Sequence, residues 1–155
     1  MDVVTENRHL VQRYYEQLWN EWNFALATEI VSHDIRFRGS LGIEARGLSQ
    51  FLDYMRLVQS AFPDFANEIV EMVAEHDAVA ARLTYTGTHR GEIFGFGATG
   101  KRVNYSGAAF FKITNDRIVE AWVLGDTQDL VRQLSATPAG LRRRGRYKGK
   151  PVEAV

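Results

Sequence analysis

The sequence predicts one α+β domain, with helices in its first half and an antiparallel sheet in its second. Three observations predict this. Up to Phe62 the apolar residues recur at spacings of three and four, the period of an amphipathic helix. From Phe65 to Leu124 they fall into four runs of strand character. Good turn residues separate those runs, among them His76-Asp77 and Asn115-Asp116.

Each element follows in order. From about Thr5 to Trp22, Leu10, Val11, Tyr14, Tyr15, Leu18 and Trp22 build one apolar helical face, with Thr5 as the expected N-cap. Asn23 is placed to cap a short second helix over Phe24 to Val31, with Leu26 and Ile30 inward. Asp34 to Arg38 alternates as a half-buried strand, and Gly39, Gly42 and Gly47 break it. Ser49 is the expected cap of a third helix carrying Phe51, Leu52, Met55, Val58 and Phe62, which Pro63 ends. Strands follow over Phe65 to Ala74, Ala78 to Arg90, Lys101 to Ile113 and Ile118 to Leu124. Asp126 or Thr127 opens a last helical turn through Leu134. A curved sheet with helices across one face leaves a conical, apolar hollow suited to a ligand of modest size.

Composition narrows the function. At 155 residues, 45% hydrophobic and 25% charged, the chain has material for one packed core. It has no cysteine, so disulfides, thiolate catalysis and cysteine zinc sites are excluded. No apolar run reaches the roughly 20 residues of a membrane span, and the N-terminus is too polar for a secretory signal, so a cytoplasmic location is expected. Zero net charge hides an asymmetry: residues 141–155 carry six basic residues and one acidic one, leaving residues 1–140 acidic. We therefore divide the chain into a domain over residues 1–138 and a basic tail over 139–155, with no nucleic-acid or membrane partner expected. No HExxH or close His/carboxylate cluster points to a metal, and the Gly-rich GEIFGFGATGK stretch lacks the phosphate-loop spacing because Arg102 follows Lys101.

Several stretches read together carry a family resemblance: FRGSLG at 37–42, FPDF at 62–65, GTHRGEIFG at 87–95, TGKRV at 99–103 and IVEAWVLGD at 118–126. Over roughly residues 8–135 the chain resembles the SnoaL-like polyketide (ester) cyclases of the NTF2-like superfamily. The resemblance implies a cone-shaped fold and cofactor-free chemistry: ring closure by intramolecular aldol condensation, or isomerisation, through an enolate. It places Asp126 at the position of the general acid/base. Where many members carry histidines this chain has Arg38, Ala109 and Ala121. The same scaffold also serves as a ligand-binding module without turnover.

The candidate residues follow. Strand alternation puts Glu120, Trp122, Leu124 and Asp126 on one face, expected to be the pocket face, where an enclosed aspartate would have a raised pKa. The competing reading of Asp126 is an N-cap for the last helix. Arg82, flanked by apolar residues, and Arg38 could each hold a carboxylate or steady an enolate oxyanion. The alternative for Arg82 is an ion pair with Glu71, Glu75 or Asp126. His89 either donates to a substrate oxygen or fixes its own loop. Tyr14, Tyr105 and Trp122 are the aromatic residues expected to line the hollow, around a small apolar or aromatic carbonyl ligand. Open sheet surface bearing Val79, Ala81 and Leu83 predicts a homodimer through the sheet.

Overall fold

The structure is a computed structural model, and it describes residues 2–136, so the basic tail lies outside the described residues. Helix α1 spans Val3–Arg13 and continues as a π-helical segment, Tyr14–Trp19. A 3-10 turn at Phe24–Leu26 leads into α2, Ala27–Ile30. Strands β1 (Val31–Arg38) and β2 (Glu44–Arg46) precede α3, Gly47–Ala61. Then come β3 (Ala66–Ala74), β4 (Ala78–Thr88), β5 (Arg102–Thr114), β6 (Arg117–Gly125) and α4, Thr127–Ser135.

The six strands form one curved sheet in the order β2-β1-β6-β5-β4-β3. Neighbours pair antiparallel except β1 and β6, which run parallel, so the sheet is mixed where pure antiparallel pairing was expected. The parallel pair arises because α3, β3, β4 and β5 intervene between them, giving the chain room to cross over. The short strand β2 is a difference from the sequence reading too: its three residues are too few for a visible period.

Helix caps differ in detail. The Asp2 carboxylate, not Thr5, caps α1 by accepting the Thr5 N–H at 2.8 Å. Asn23 makes no side-chain cap. Helix α3 starts two residues before Ser49, and Gln50 Oε1 accepts the Arg46 N–H at 2.8 Å in place of a serine cap.

The core lies between the helices and one face of the sheet. That inner face carries Val79, Ala81, Leu83 and Tyr85 from β4, Val103, Tyr105, Ala109 and Phe111 from β5, and Ile118, Ala121 and Val123 from β6, all buried. Helical aromatics fill the space opposite: Tyr14, Tyr15 and Trp19 from the π segment, Phe51 and Tyr54 from α3. Alanines and glycines on the central strands are what these bulky rings require. Large residues on both sides would overfill a layer packed at organic-crystal density.

This packing corrects two sequence expectations. Val79, Ala81 and Leu83 are 2%, 5% and 0% exposed, so they belong to the core and not to an open sheet surface. Residues Glu120, Trp122 and Leu124 do share a face, but it is the outer one, with Trp122 41% and Leu124 52% exposed. Their small neighbours Ala121 and Val123 turn inward.

Candidate functional site

A narrow cavity lies at the heart of the cone, bounded by Tyr14, Tyr15 and Trp19 of the π segment, Tyr54 and Val58 of α3, and Phe37, Ser40, Phe65, Asn67, Tyr85 and Val123. The space open to the centre of a water molecule is about 20 Å³, room for a water-sized guest. The expected hollow therefore exists, but aromatic rings nearly close it.

The π segment sets its shape. In an α-helix, consecutive side chains diverge by about 100°. Here Tyr14 and Tyr15 are both buried and both meet the Phe111 ring edge-on, at centroid distances of 5.3 and 5.9 Å. The wider π turn brings the two phenols to the same wall, and such segments recur at functional sites. Asn20 then pins the end of the segment to β3: its Oδ1 accepts the Asn67 N–H at 2.8 Å, and its Nδ2 donates to the Asn67 carbonyl at 3.0 Å.

Apart from the Asn67 carboxamide, whose Nδ2 donates to Asn20 Oδ1 at 3.0 Å, the polar side chains lining this interior are hydroxyls and the Trp19 indole. Ser40 Oγ and the Tyr105 phenol share a hydrogen bond of 2.9 Å, and the Leu41 N–H donates to the Tyr54 hydroxyl at 3.4 Å. The Tyr85 hydroxyl is buried and has no protein partner. Burial disfavours every phenolate here. It pushes Tyr54 up to about 12, against a smaller opposing pull from the Leu41 N–H and Ser40. It raises Tyr14 despite the opposing Trp19 indole, and likewise raises Tyr15, Tyr85 and Tyr105. These phenols stay neutral around pH 7, so they can donate hydrogen bonds but cannot act as proton acceptors in anionic form.

The sequence-predicted site residues divide. Tyr14 lines the cavity as expected. Tyr105 lies one layer behind, its ring 4.8 Å from that of Tyr85. Trp122 is on the outer face, with the Arg38 guanidinium 5.3 Å above its ring. Arg38 also donates to the Val123 carbonyl and does not line the cavity. Arg82 points outward and pairs with Glu71, its Nε 3.0 Å and its Nη2 2.6 Å from Oε1. Its outer-face strand position places the Arg82 guanidinium in solvent, where charge is cheap, whereas Arg38 is half-buried over Trp122.

Asp126 is exposed and caps α4, its Oδ1 accepting the Asp129 N–H at 3.0 Å. It is not enclosed in an apolar pocket, because the inward face of β6 belongs to Ala121 and Val123. His89 is fully buried and fixes its loop: Nδ1 accepts the Thr99 N–H at 3.1 Å and lies 2.9 Å from Thr99 Oγ1. That acceptor role assigns the ring proton to Nε2, which has no partner. His89 does not line the cavity. Ala109 and Ala121 do face inward, so two of the three positions where the resemblance implies imidazoles are on the inner face of the sheet and hold methyl groups.

Sequence reasoning missed Tyr15, Tyr54, Tyr85, Ser40 and Asn67 as lining residues. Alternation with Leu83 could have flagged Tyr85, since both share the inner face of β4. Ser40 and Asn67 gave no signal, because their positions depend on the β1–β2 turn and on Asn20. Among the described residues no three His, Asp or Glu side chains converge as metal ligands, and no helix is long and apolar enough to cross a membrane.

Comparison with known proteins agrees with this architecture. AclR from Streptomyces galilaeus superimposes with a TM-score of 0.74 at 29% identity, covering 87% of this chain and 88% of its own. A SnoaL-like protein from Jannaschia sp. CCS1 gives a TM-score of 0.81 at 18% identity, covering 89% and 97%. A SnoaL-like polyketide cyclase from Agrobacterium tumefaciens str. C58 gives 0.72 at 22%, covering 87% and 100%. Curated proteins include no match to this sequence. The sequence pattern of the SnoaL-like polyketide cyclases, in contrast, matches residues 9–134, which together with the NTF2-like cone shows that this chain belongs to the SnoaL-like polyketide cyclase family.

Proposed function

We propose that this chain binds a small, uncharged aromatic carbonyl compound in the tyrosine-lined cavity. There it promotes enolate chemistry, cyclisation or isomerisation, in the cytoplasm and without a cofactor. One observation supports the reading most: Tyr14, Tyr15, Tyr54 and Tyr85 are the ionisable residues among those lining the cavity, and burial holds each in its neutral, hydrogen-bond-donating form. A neutral O–H aimed at a carbonyl oxygen stabilises the charge that gathers there as the α-proton leaves. The lining residues include no carboxylate or imidazole, so the base that takes that proton, hydroxide or a buffer anion, enters from solvent with the ligand. A ring-sized ligand needs the aromatic wall to move outward, since the closed cavity fits only a water-sized guest. The family resemblance puts Asp126 at the acid/base position, but here it is exposed at the α4 cap and is not among the residues lining the cavity.

The test uses acetophenone in D₂O. Enolate formation exchanges its methyl protons for deuterium, which proton NMR follows directly. Exchange well above the buffer rate supports the catalytic reading. A second reading, a binding module without turnover, is favoured by the capping role of Asp126. It predicts saturable binding of the ketone with exchange no faster than in buffer.

The outer face of the sheet fits a second copy of the same chain. Across it, register aligns Glu44, Arg38, Trp122, Phe110, Ala80 and Val73 in one row. Trp122, Phe110, Val73 and the adjacent Leu124 are between 41% and 62% exposed, a large apolar patch for a monomer surface. One rim of the patch holds Arg36, Arg46 and Lys112 around Glu120, and the opposite rim holds Glu68 and Glu71 around Arg82. A two-fold axis across the strands would lay the basic rim of one copy over the acidic rim of the other.

A further inference from the structure

Among the described residues, the buried side-chain atoms lacking any hydrogen-bond partner are the Tyr85 hydroxyl and His89 Nε2. Natural proteins rarely leave such groups unpaired, because a desolvated donor loses its bond to water and gains nothing in return. His89 does not line the cavity, whereas Tyr85 does.

The fold holds the Tyr85 ring firmly. It stacks on Phe65 at 5.7 Å with an interplanar angle of 12°, and meets Tyr105 at 4.8 Å. Room for its hydroxyl comes from Gly107 on the neighbouring strand, where a Cβ would stand 2.8 Å from the Tyr85 oxygen. Nearby polar groups have partners: Ser40 shares a hydrogen bond with Tyr105, the Tyr54 hydroxyl accepts the Leu41 N–H, and Asn67 Nδ2 donates to Asn20. The lining residues carry no cation, so nothing in the cavity would neutralise a ligand carboxylate.

From this arrangement we infer that the Tyr85 O–H is the donor that selects the ligand, accepting a neutral compound with a carbonyl oxygen over an isosteric hydrocarbon or a carboxylate. The inference rests on the cavity being the ligand site. A site built to hydrogen-bond one ligand atom discriminates strongly against analogues lacking it. It also carries a signature that a purely structural tyrosine would not show. Removing an unpaired buried hydroxyl should leave the fold as stable or more so, while weakening the ligand complex.

The experiment compares wild type with Tyr85→Phe, using acetophenone, ethylbenzene and benzoate as probes in calorimetric titration. Acetophenone should bind wild type about tenfold more tightly than ethylbenzene, benzoate should bind weakest, and Tyr85→Phe should erase the preference for the ketone. The infrared carbonyl stretch of bound ¹³C-acetophenone should lie lower in wild type than in the variant. Thermal melting of Tyr85→Phe should be unchanged or raised. Equal binding of ketone and hydrocarbon by wild type, with no effect of the substitution, overturns the role of Tyr85 and leaves the cavity as a ligand site. A lower melting temperature for Tyr85→Phe means that the fold already uses the hydroxyl, and overturns it too. If none of the three probes binds, the cavity reading itself fails and takes this inference with it.

Discussion

The Asp126 carboxylate accepts the Asp129 N–H at 3.0 Å and so closes the first turn of α4. Aspartate and asparagine cap helices about equally well, whereas alanine does not. Asp126→Ala should therefore cost about 1 kcal/mol in urea denaturation, and Asp126→Asn only a few tenths. The asparagine variant keeps the cap and removes the ionisable group. Its rate of acetophenone deuteration should equal that of wild type. A loss of two orders of magnitude would instead make Asp126 the base.

The Ser40–Tyr105 bond is the buried hydroxyl pair that joins the β1–β2 turn to the sheet. Ser40→Ala leaves the Tyr105 phenol unpaired and should destabilise the fold by about 1–3 kcal/mol. Adding Tyr105→Phe removes the orphaned group, so the double variant should regain part of that loss. Chemical denaturation of wild type, the two single variants and the double variant forms the cycle that measures it.

Gly107 has little room for a side chain. A Cβ there would lie 2.8 Å from both the Tyr85 hydroxyl and the Leu124 carbonyl oxygen. Gly107→Ala should cost about 1–3 kcal/mol through overpacking. It should also weaken acetophenone binding by displacing the Tyr85 ring, which titration would show.

Asp64 ties the end of α3 to two strands. Burial alone would raise its pKa, but the Thr88 N–H at 2.7 Å, the Thr88 hydroxyl at 2.8 Å and Arg102 at 3.0 Å together hold it below its ordinary value of 3.8. A carboxyl depressed in the folded state contributes stability above its unfolded pKa, and loses that contribution as pH falls through the folded one. Wild type should therefore lose stability on acidification below about pH 4. Asp64→Asn should be less stable at pH 7 and show a shallower acid slope in melting temperature against pH.

Phe110 and Trp122, with ring centroids 6.2 Å apart, form the centre of the outer patch. The double variant Phe110→Glu/Trp122→Glu buries like charges in any face-to-face dimer and should sediment as a monomer, with far-ultraviolet circular dichroism unchanged. Wild type should sediment as a dimer at micromolar concentration. A monomeric wild type would discard this interface.

Much of the fold was legible from local pattern. Strands over Ala78–Thr88 and Arg102–Thr114 announced themselves by alternation, and α3 by its helical period. The family motifs predicted a cone, and a cone is what the chain forms. What alternation cannot say is which face turns inward. On β6 it separates Trp122 and Leu124 from Ala121 and Val123 without ranking them, and hydrophobicity alone favours the larger pair. Packing reverses that choice. Tyr14, Tyr15, Trp19, Phe51 and Tyr54 arrive from the helices and fill the interior, so the central strands must offer small residues there.

The sequence by itself thus determined the longer elements, their order and the cone, but not the three-residue β2 or the π segment, because periodicity and turn chemistry act between residues close along the chain. Tertiary structure alone decided that Asp126 caps a helix, that Arg82 pairs with Glu71, and that the Tyr85 hydroxyl is buried without a partner. Those outcomes depend on volume competition and hydrogen-bond partners supplied by distant segments. A one-dimensional pattern carries no record of either.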